Sequence, residues 1–194
     1  MNSAALLTTV IILAGCAAHA AGKGDDDRRV DRTTSLAAFE KMASVMTSPR
    51  CLNCHTSTSF PRQGDDRHPH RFNVMRGEDG HGMAGMKCTT CHGRANNFAS
   101  GVPGADDDWH LAPLSMSWEG LSRAQICREL KDTQRNGGRS GEGVIDHLET
   151  GLVRWAWEPG VDALGLGRTV PPISYAAFLE ASRIWVAQGQ PCPN

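Results

Sequence analysis

Cys51-Leu52-Asn53-Cys54-His55 and Cys88-Thr89-Thr90-Cys91-His92 each place two thiols three residues apart, with an imidazole directly after the second. This CxxCH spacing reads as a c-type haem attachment site. On a helical turn, residues three apart share a face, so both thiols reach the two vinyl groups of one porphyrin. The following histidine then lies beneath the ring and offers a nitrogen to iron, which makes His55 and His92 the expected proximal ligands. A structural zinc on the four cysteines is the plainer alternative. Zinc ribbons separate their pairs by about 15–20 residues, less than here, and require no histidine after each pair. A thioredoxin-like CxxC needs a βαβ setting that neither flank offers.

The remaining cysteines fit an exported chain. Residues 4–14 form an apolar run too short to span a bilayer. Leu13-Ala14-Gly15-Cys16 resembles a lipobox, in which Cys16 would be acylated, and Ala18-His19-Ala20 fits ordinary signal cleavage; the lipoprotein reading is favoured. Of seven cysteines, four belong to the haem motifs and one to the signal. Cys127 and Cys192 remain, and an oxidising compartment permits a disulfide between them, against two buried free thiols. The expected organisation is a signal segment over 1–20, a flexible tether over 21–32, and one dihaem cytochrome c domain over 33–194. Twenty basic against twenty-one acidic residues leave a net charge of −1. That balance implies neither nucleic acid nor an anionic membrane surface as partner.

The sixth iron ligands are less defined, although axial identity sets potential and reactivity. His110 lies in Trp109-His110-Leu111-Ala112-Pro113, flanked by apolar residues, and is the first distal candidate, against a packed, hydrogen-bonded histidine. His70, in the loop between the motifs, is the first choice for the other iron. His81, His147 and Met116 are weaker candidates, with solvated histidines and a buried thioether as the plainer readings. For the five tryptophans, core burial is the safer expectation.

Periodicity predicts a mostly α chain with long haem-packing loops and few or no strands. A helix is expected over about 35–47, with Leu36, Phe39, Ala43 and Met46 on one face and Pro49 beyond it. Residues 56–87 read as a long loop that must pack on something, and a porphyrin face would serve. Ser122-Arg123-Ala124-Gln125 matches a capping box opening a helix that Gly137-Gly138 would end. A shorter helix is expected over about 141–150. Trp155-Ala156-Trp157 read as extended, and a last helix follows Ser174 and closes at Gly189.

Several stretches resemble a group of bacterial dihaem cytochromes labelled "isoquinoline 1-oxidoreductase subunit". They are Ser48 to His55, Arg76-Gly77-Glu78-Asp79-Gly80-His81-Gly82, Trp109 to Pro113, Leu130-Lys131-Asp132 with Arg135-Asn136-Gly137-Gly138-Arg139, and Leu152 to Trp157. The resemblance spans about residue 36 to the C-terminus. It implies a cytochrome serving a molybdenum hydroxylase that oxidises an N-heterocycle or aldehyde. No molybdopterin, flavin or iron–sulfur motif accompanies it, so substrate chemistry would belong to the partner.

The expected function is periplasmic electron transfer through two covalently bound haem c groups. Electrons would come from a dehydrogenase or molybdenum hydroxylase and leave to a cytochrome or oxidase. Any membrane association would run through a lipid on Cys16. The alternatives are a small peroxidase-like enzyme or a haem redox or gas sensor, each with an open iron.

Overall fold

The computed structural model describes Met1 and residues 21–194, with side chains from Asp31 onward. The lipobox-like segment with Cys16 and the alternative cleavage site lie outside the described residues. Helix α1 spans Ala21–Met46 and α2 Pro49–Leu52, both before the first haem motif is complete. Helices α3 (Arg123–Lys131), α4 (Gly141–Leu148), α5 (Gly151–Arg154) and α6 (Tyr175–Ala187) follow the second motif. Between these groups runs a long irregular stretch with two small antiparallel hairpins. In one, β1 (Arg62–Gln63) pairs with β2 (His68–Pro69); in the other, β3 (Gly82–Met83) pairs with β4 (Met86–Lys87). The described chain is therefore mostly helical, with few strands.

The helix expected over 35–47 begins earlier, so residues 21–32 are helical rather than a flexible tether. Once a packed segment supplies the nucleus, extending a helix costs little per residue, even through polar sequence. The buried stripe of α1 is Ser35, Ala38, Phe39, Met42, Ala43, Val45 and Met46, with Leu36 at its half-buried edge. Pro49 does more than follow α1. Ser48 is extended (φ −75°, ψ 155°), and Pro49 opens α2 where its missing N–H costs nothing. The chain thus turns directly into the first haem motif.

The capping box at Ser122 forms, the Ser122 hydroxyl accepting from Gln125 N and Gln125 Oε1 from Ser122 N. Its helix ends at Lys131, before Gly137-Gly138. Asp132 leaves helical geometry (ψ 102°), and its carboxylate accepts from Gln134 N at 2.9 Å, offering the backbone a turn instead. Trp155–Trp157 form a 3-10 turn continuing α5 rather than an extended stretch. Thr150 caps α5 and the tight turn follows on, so the apolar triplet faces the interior from a helical ridge. The last helix starts as expected, with Ser174 Oγ accepting from Ala177 N at 3.2 Å.

Helix α6 lies along α1, and their apolar faces make the core with α3 and α4. Phe39 and Trp185 meet with ring centres 5.5 Å apart, and both are fully buried. Burying side chains of this size contributes roughly 1.5–3 kcal/mol each. Trp185 Nε1 donates to Pro191 O at 3.0 Å, so the tail folds back beneath α6. There Cys192 is joined to Cys127 of α3, with Cα atoms 5.6 Å apart and a sequence separation of 65.

A loop of that length restricts the unfolded chain by about 4 kcal/mol in the entropic account. Replacing both cysteines by alanine is therefore expected to lower the unfolding free energy by about 2–4 kcal/mol, measured by denaturant titration under non-reducing conditions. An unchanged midpoint would show that packing of α6 alone holds the tail.

Candidate haem sites

The two CxxCH segments fold alike although they share no neighbours in sequence. In the first, His55 N donates to Cys51 O at 3.0 Å and Cys54 N to Cys51 O at 3.1 Å. In the second, His92 N donates to Cys88 O at 3.0 Å and Cys91 N to Cys88 O at 3.2 Å. Each is a single tight turn, and in the first Cys51, Cys54 and His55 all line one cavity, as the spacing requires.

Each histidine is held in the same way. His55 Nδ1 is 2.7 Å from Met116 O, and His92 Nδ1 is 2.8 Å from Pro103 O. A carbonyl only accepts, so Nδ1 carries the hydrogen and Nε2 keeps its lone pair. This is how metal-ligating histidines are commonly fixed in tautomer and orientation. Each ring also lies flat on an indole. His55 stacks on Trp118 with centres 3.5 Å apart and planes 8° apart, and His92 on Trp109 at 4.3 Å and 1°. Trp118 N donates in turn to His55 O at 3.0 Å, closing a two-way clamp with the Met116 carbonyl. Burial pushes the His55 imidazole down to about 3, against the pull of the Met116 bond, and the His92 imidazole down to about 4. Both stand neutral at neutral pH, the form that binds metal.

The first motif opens on a cavity with about 1010 Å³ of free space, part of it open to solvent. Several elements build it. Asn136 is buried and ties its turn together, donating to Leu130 O at 2.7 Å and Arg139 O at 2.9 Å, and so sets itself and Arg139 in the cavity wall. Leu152, Val153, Trp155 and Ala156 form another wall. Arg76 reaches Ala112 O, Thr56 O (3.3 Å) and Thr58 O (3.2 Å), joining the segments around the motif. Leu111 N donates to Gly80 O at 3.0 Å, and a Cβ on Gly80 would come within 2.7 Å of Leu111 O, so only glycine allows this approach.

The walls fit a porphyrin bearing two carboxylates. The lining is largely apolar, yet Arg50, Asn136 and Arg139 stand in it. Arg50 is buried against Asp65 and Trp155, and its Nε has no hydrogen-bond partner among the described residues; the same holds for Trp118 Nε1. A cationic donor at the edge of an apolar slot suits a propionate. The thiols suit a thioether. Burial pushes the Cys51 thiol up to about 12, and burial with the nearby Cys88 pushes the Cys54 thiol up to about 11. Among the described residues, no group of three or more His, Cys, Asp or Glu is arranged to hold a metal ion, so the four cysteines do not converge as a zinc ribbon would require.

The second motif is more open, with Cys91 exposed and His92 half-buried. Of the distal candidates, His70 is beside His92, ring centres 6.0 Å apart at 66°. His110 and His147 both line the first cavity with His55. Burial, with Arg139 and His110 nearby, pushes His147 down to about 4, and its ring nitrogens have no hydrogen-bond partner among the described residues. His110 Nδ1 donates to Asp108 O at 2.7 Å, and its ring lies on His81 with centres 5.0 Å apart. Met116 contributes its carbonyl to the proximal side, and its buried side chain lines the same cavity. Trp118 is buried in the core, as expected, while Trp109 is only half-buried; that each indole stacks on a CxxCH histidine was not foreseen. Their positions next to His110 and Met116, within the candidate segments, were the available signal.

No family model, curated protein or solved structure matches this chain.

Glu119, directly after Trp118, fastens the chain beyond His55. Its Oε2 accepts from Ser57 N and Ser57 Oγ, both at 2.6 Å, and from Thr56 Oγ1 at 3.0 Å; Arg67 pairs with Oε1. Burial would raise its pKa, but these donors outweigh burial and lower it from 4.5 to about 2. Its stabilising contribution is complete above 4.5 and disappears as pH falls through about 2. Glu119→Gln is expected to lower stability by about 1–3 kcal/mol at pH 7, with the difference from wild type shrinking as pH falls below 4.5. Denaturant titrations of both proteins across that range check it.

Proposed function

We propose that this chain is an exported dihaem c-type cytochrome that carries electrons between partner proteins. The observation that carries the reading is the duplicated site. Two CxxCH turns each present Nε2 of an imidazole whose Nδ1–H is bound to a main-chain carbonyl and whose ring is backed by tryptophan. Haem c, when bound, supplies a reversible one-electron iron couple. The chain's own part is to hold each proximal ring fixed, so that little has to reorganise. The enclosed first site and the open second site suit different tasks. A partner protein needs an exposed edge to approach, and the surroundings of Cys91 and His92 offer one. The Cys127–Cys192 disulfide and the apolar N-terminal run support an oxidising, periplasmic location, with Cys16 as the lipid anchor if the lipobox is used.

The resemblance to the isoquinoline 1-oxidoreductase group supports a molybdenum hydroxylase as the electron donor, with a cytochrome or oxidase downstream. Nucleic acid is not a partner that the near-neutral charge favours.

The purified protein is expected to take up and release two electrons per chain reversibly. It should bind no CO when reduced and no azide when oxidised, and should turn over peroxide no faster than a denatured control. A CO-dependent change in the absorption of intact protein, with peroxide turnover, would replace the carrier by an enzyme with an open iron.

A further inference from the structure

His70 stands midway along the loop between the motifs and His92 within the second motif, yet their rings meet edge-on, with centres 6.0 Å apart and planes at 66°. A histidine nitrogen lies about 2 Å from a first-row metal and about 1 Å from its own ring centre, so two imidazoles on opposite sides of one ion stand roughly 6 Å apart. The bonds at the other nitrogens agree. His70 Nδ1 donates to Arg71 O at 2.7 Å and His92 Nδ1 to Pro103 O at 2.8 Å, which leaves Nε2 on both rings as the free lone pair.

The position of His70 is built rather than incidental. The β1–β2 ladder pairs Gln63 with His68 and Arg62 with Pro69. His70 N then donates to Pro61 O, and Arg71 N to Gln63 Oε1, each at 3.0 Å. Immediately after, Phe72 (φ 62°) and Asn73 (φ 52°) take left-handed conformations. Asparagine tolerates this, but a phenylalanine is strained there, and such strain gathers at ligand clamps. Phe72 is nevertheless 82% exposed. The loops around it converge: Arg168 donates to Gly101 O, Asp162 lies against Gly101, and Arg71 interacts with Asp162. These loops also bear Phe98, Leu164 and Leu166, all exposed. Exposed apolar side chains on these loops are suited to the face and edge of a porphyrin.

We infer that His70 and His92 are the two axial ligands of the second haem iron. The inference rests on the dihaem reading and adds to it the sixth ligand at the open site. Two imidazoles, both with Nδ1–H bound to carbonyls, give that iron a lower potential than a histidine–methionine pair would. They also close it to exogenous ligands, although its surroundings are exposed.

The test is made on the haem-loaded protein, with haem counted by intact mass and iron spin state read by low-temperature EPR. Wild type is expected to carry two haems and to show the second iron low-spin. His70→Ala should keep both haems and turn half of the iron high-spin, and added imidazole should restore the low-spin signal. His70→Met, which keeps a ligand at that position, should stay low-spin, gain the methionine–iron charge-transfer band and raise the potential of one haem. His68→Ala, in the same hairpin, should change none of these. Two low-spin haems in His70→Ala, or no methionine band in a fully loaded His70→Met, would overturn the ligation. A wild-type chain without two haems would instead overturn the reading beneath it.

Discussion

Each proximal imidazole is bound through Nδ1–H to a carbonyl from a distant loop, and the rest of the site follows from those two bonds. Met116 lies 61 residues beyond His55, and Pro103 eleven beyond His92. A short CxxCH turn cannot fix its own ring. The loop that provides the carbonyl does so, and the tryptophan nearby in sequence stacks on the face of the ring. The constraint sets tautomer, orientation and basicity at once. It also explains why the irregular middle of the chain is ordered without regular ladders. Its backbone groups are satisfied by side chains such as Arg76 and Asn53, and by paired loop segments.

The helical part of the molecule serves these loops. Helix α1 packs on α6, the disulfide fastens the tail to α3, and Pro49 turns the end of α1 into the first attachment turn. Helices α4 and α5 supply cavity walls. The two sites accordingly differ in kind, one enclosed among helices and the other spread over loops at the surface. That asymmetry accords with a carrier that shields one centre and offers the other to partners.

Local chemistry was legible in the sequence, and long-range geometry was not. The capping box at Ser122, the start of α6 at Ser174 and the pairing of Cys127 with Cys192 depend on few residues or on elimination, and all three are present. The CxxCH turns are local for the same reason. The helical course of 21–32 went unseen because its stability comes from continuity with the packed part of α1, not from its own composition. Trp155–Trp157 went unseen as a 3-10 turn because three apolar residues in a row carry no period. The partners of the proximal rings and the neighbours of the distal histidines are set by how loops meet in space. Sequence could name His70, His110 and His147 as candidates, but not that the first meets His92 edge-on while the other two share a cavity with His55.

The central claim is that both turns carry covalent haem, and the most direct measurement is the intact mass of the denatured, exported protein beside a haemochrome count. The account predicts two haem masses on every mature chain, one lost in Cys51→Ser/Cys54→Ser and the other in Cys88→Ser/Cys91→Ser. A mature chain of unmodified mass, or one whose four cysteines retain zinc in place of haem, would contradict it.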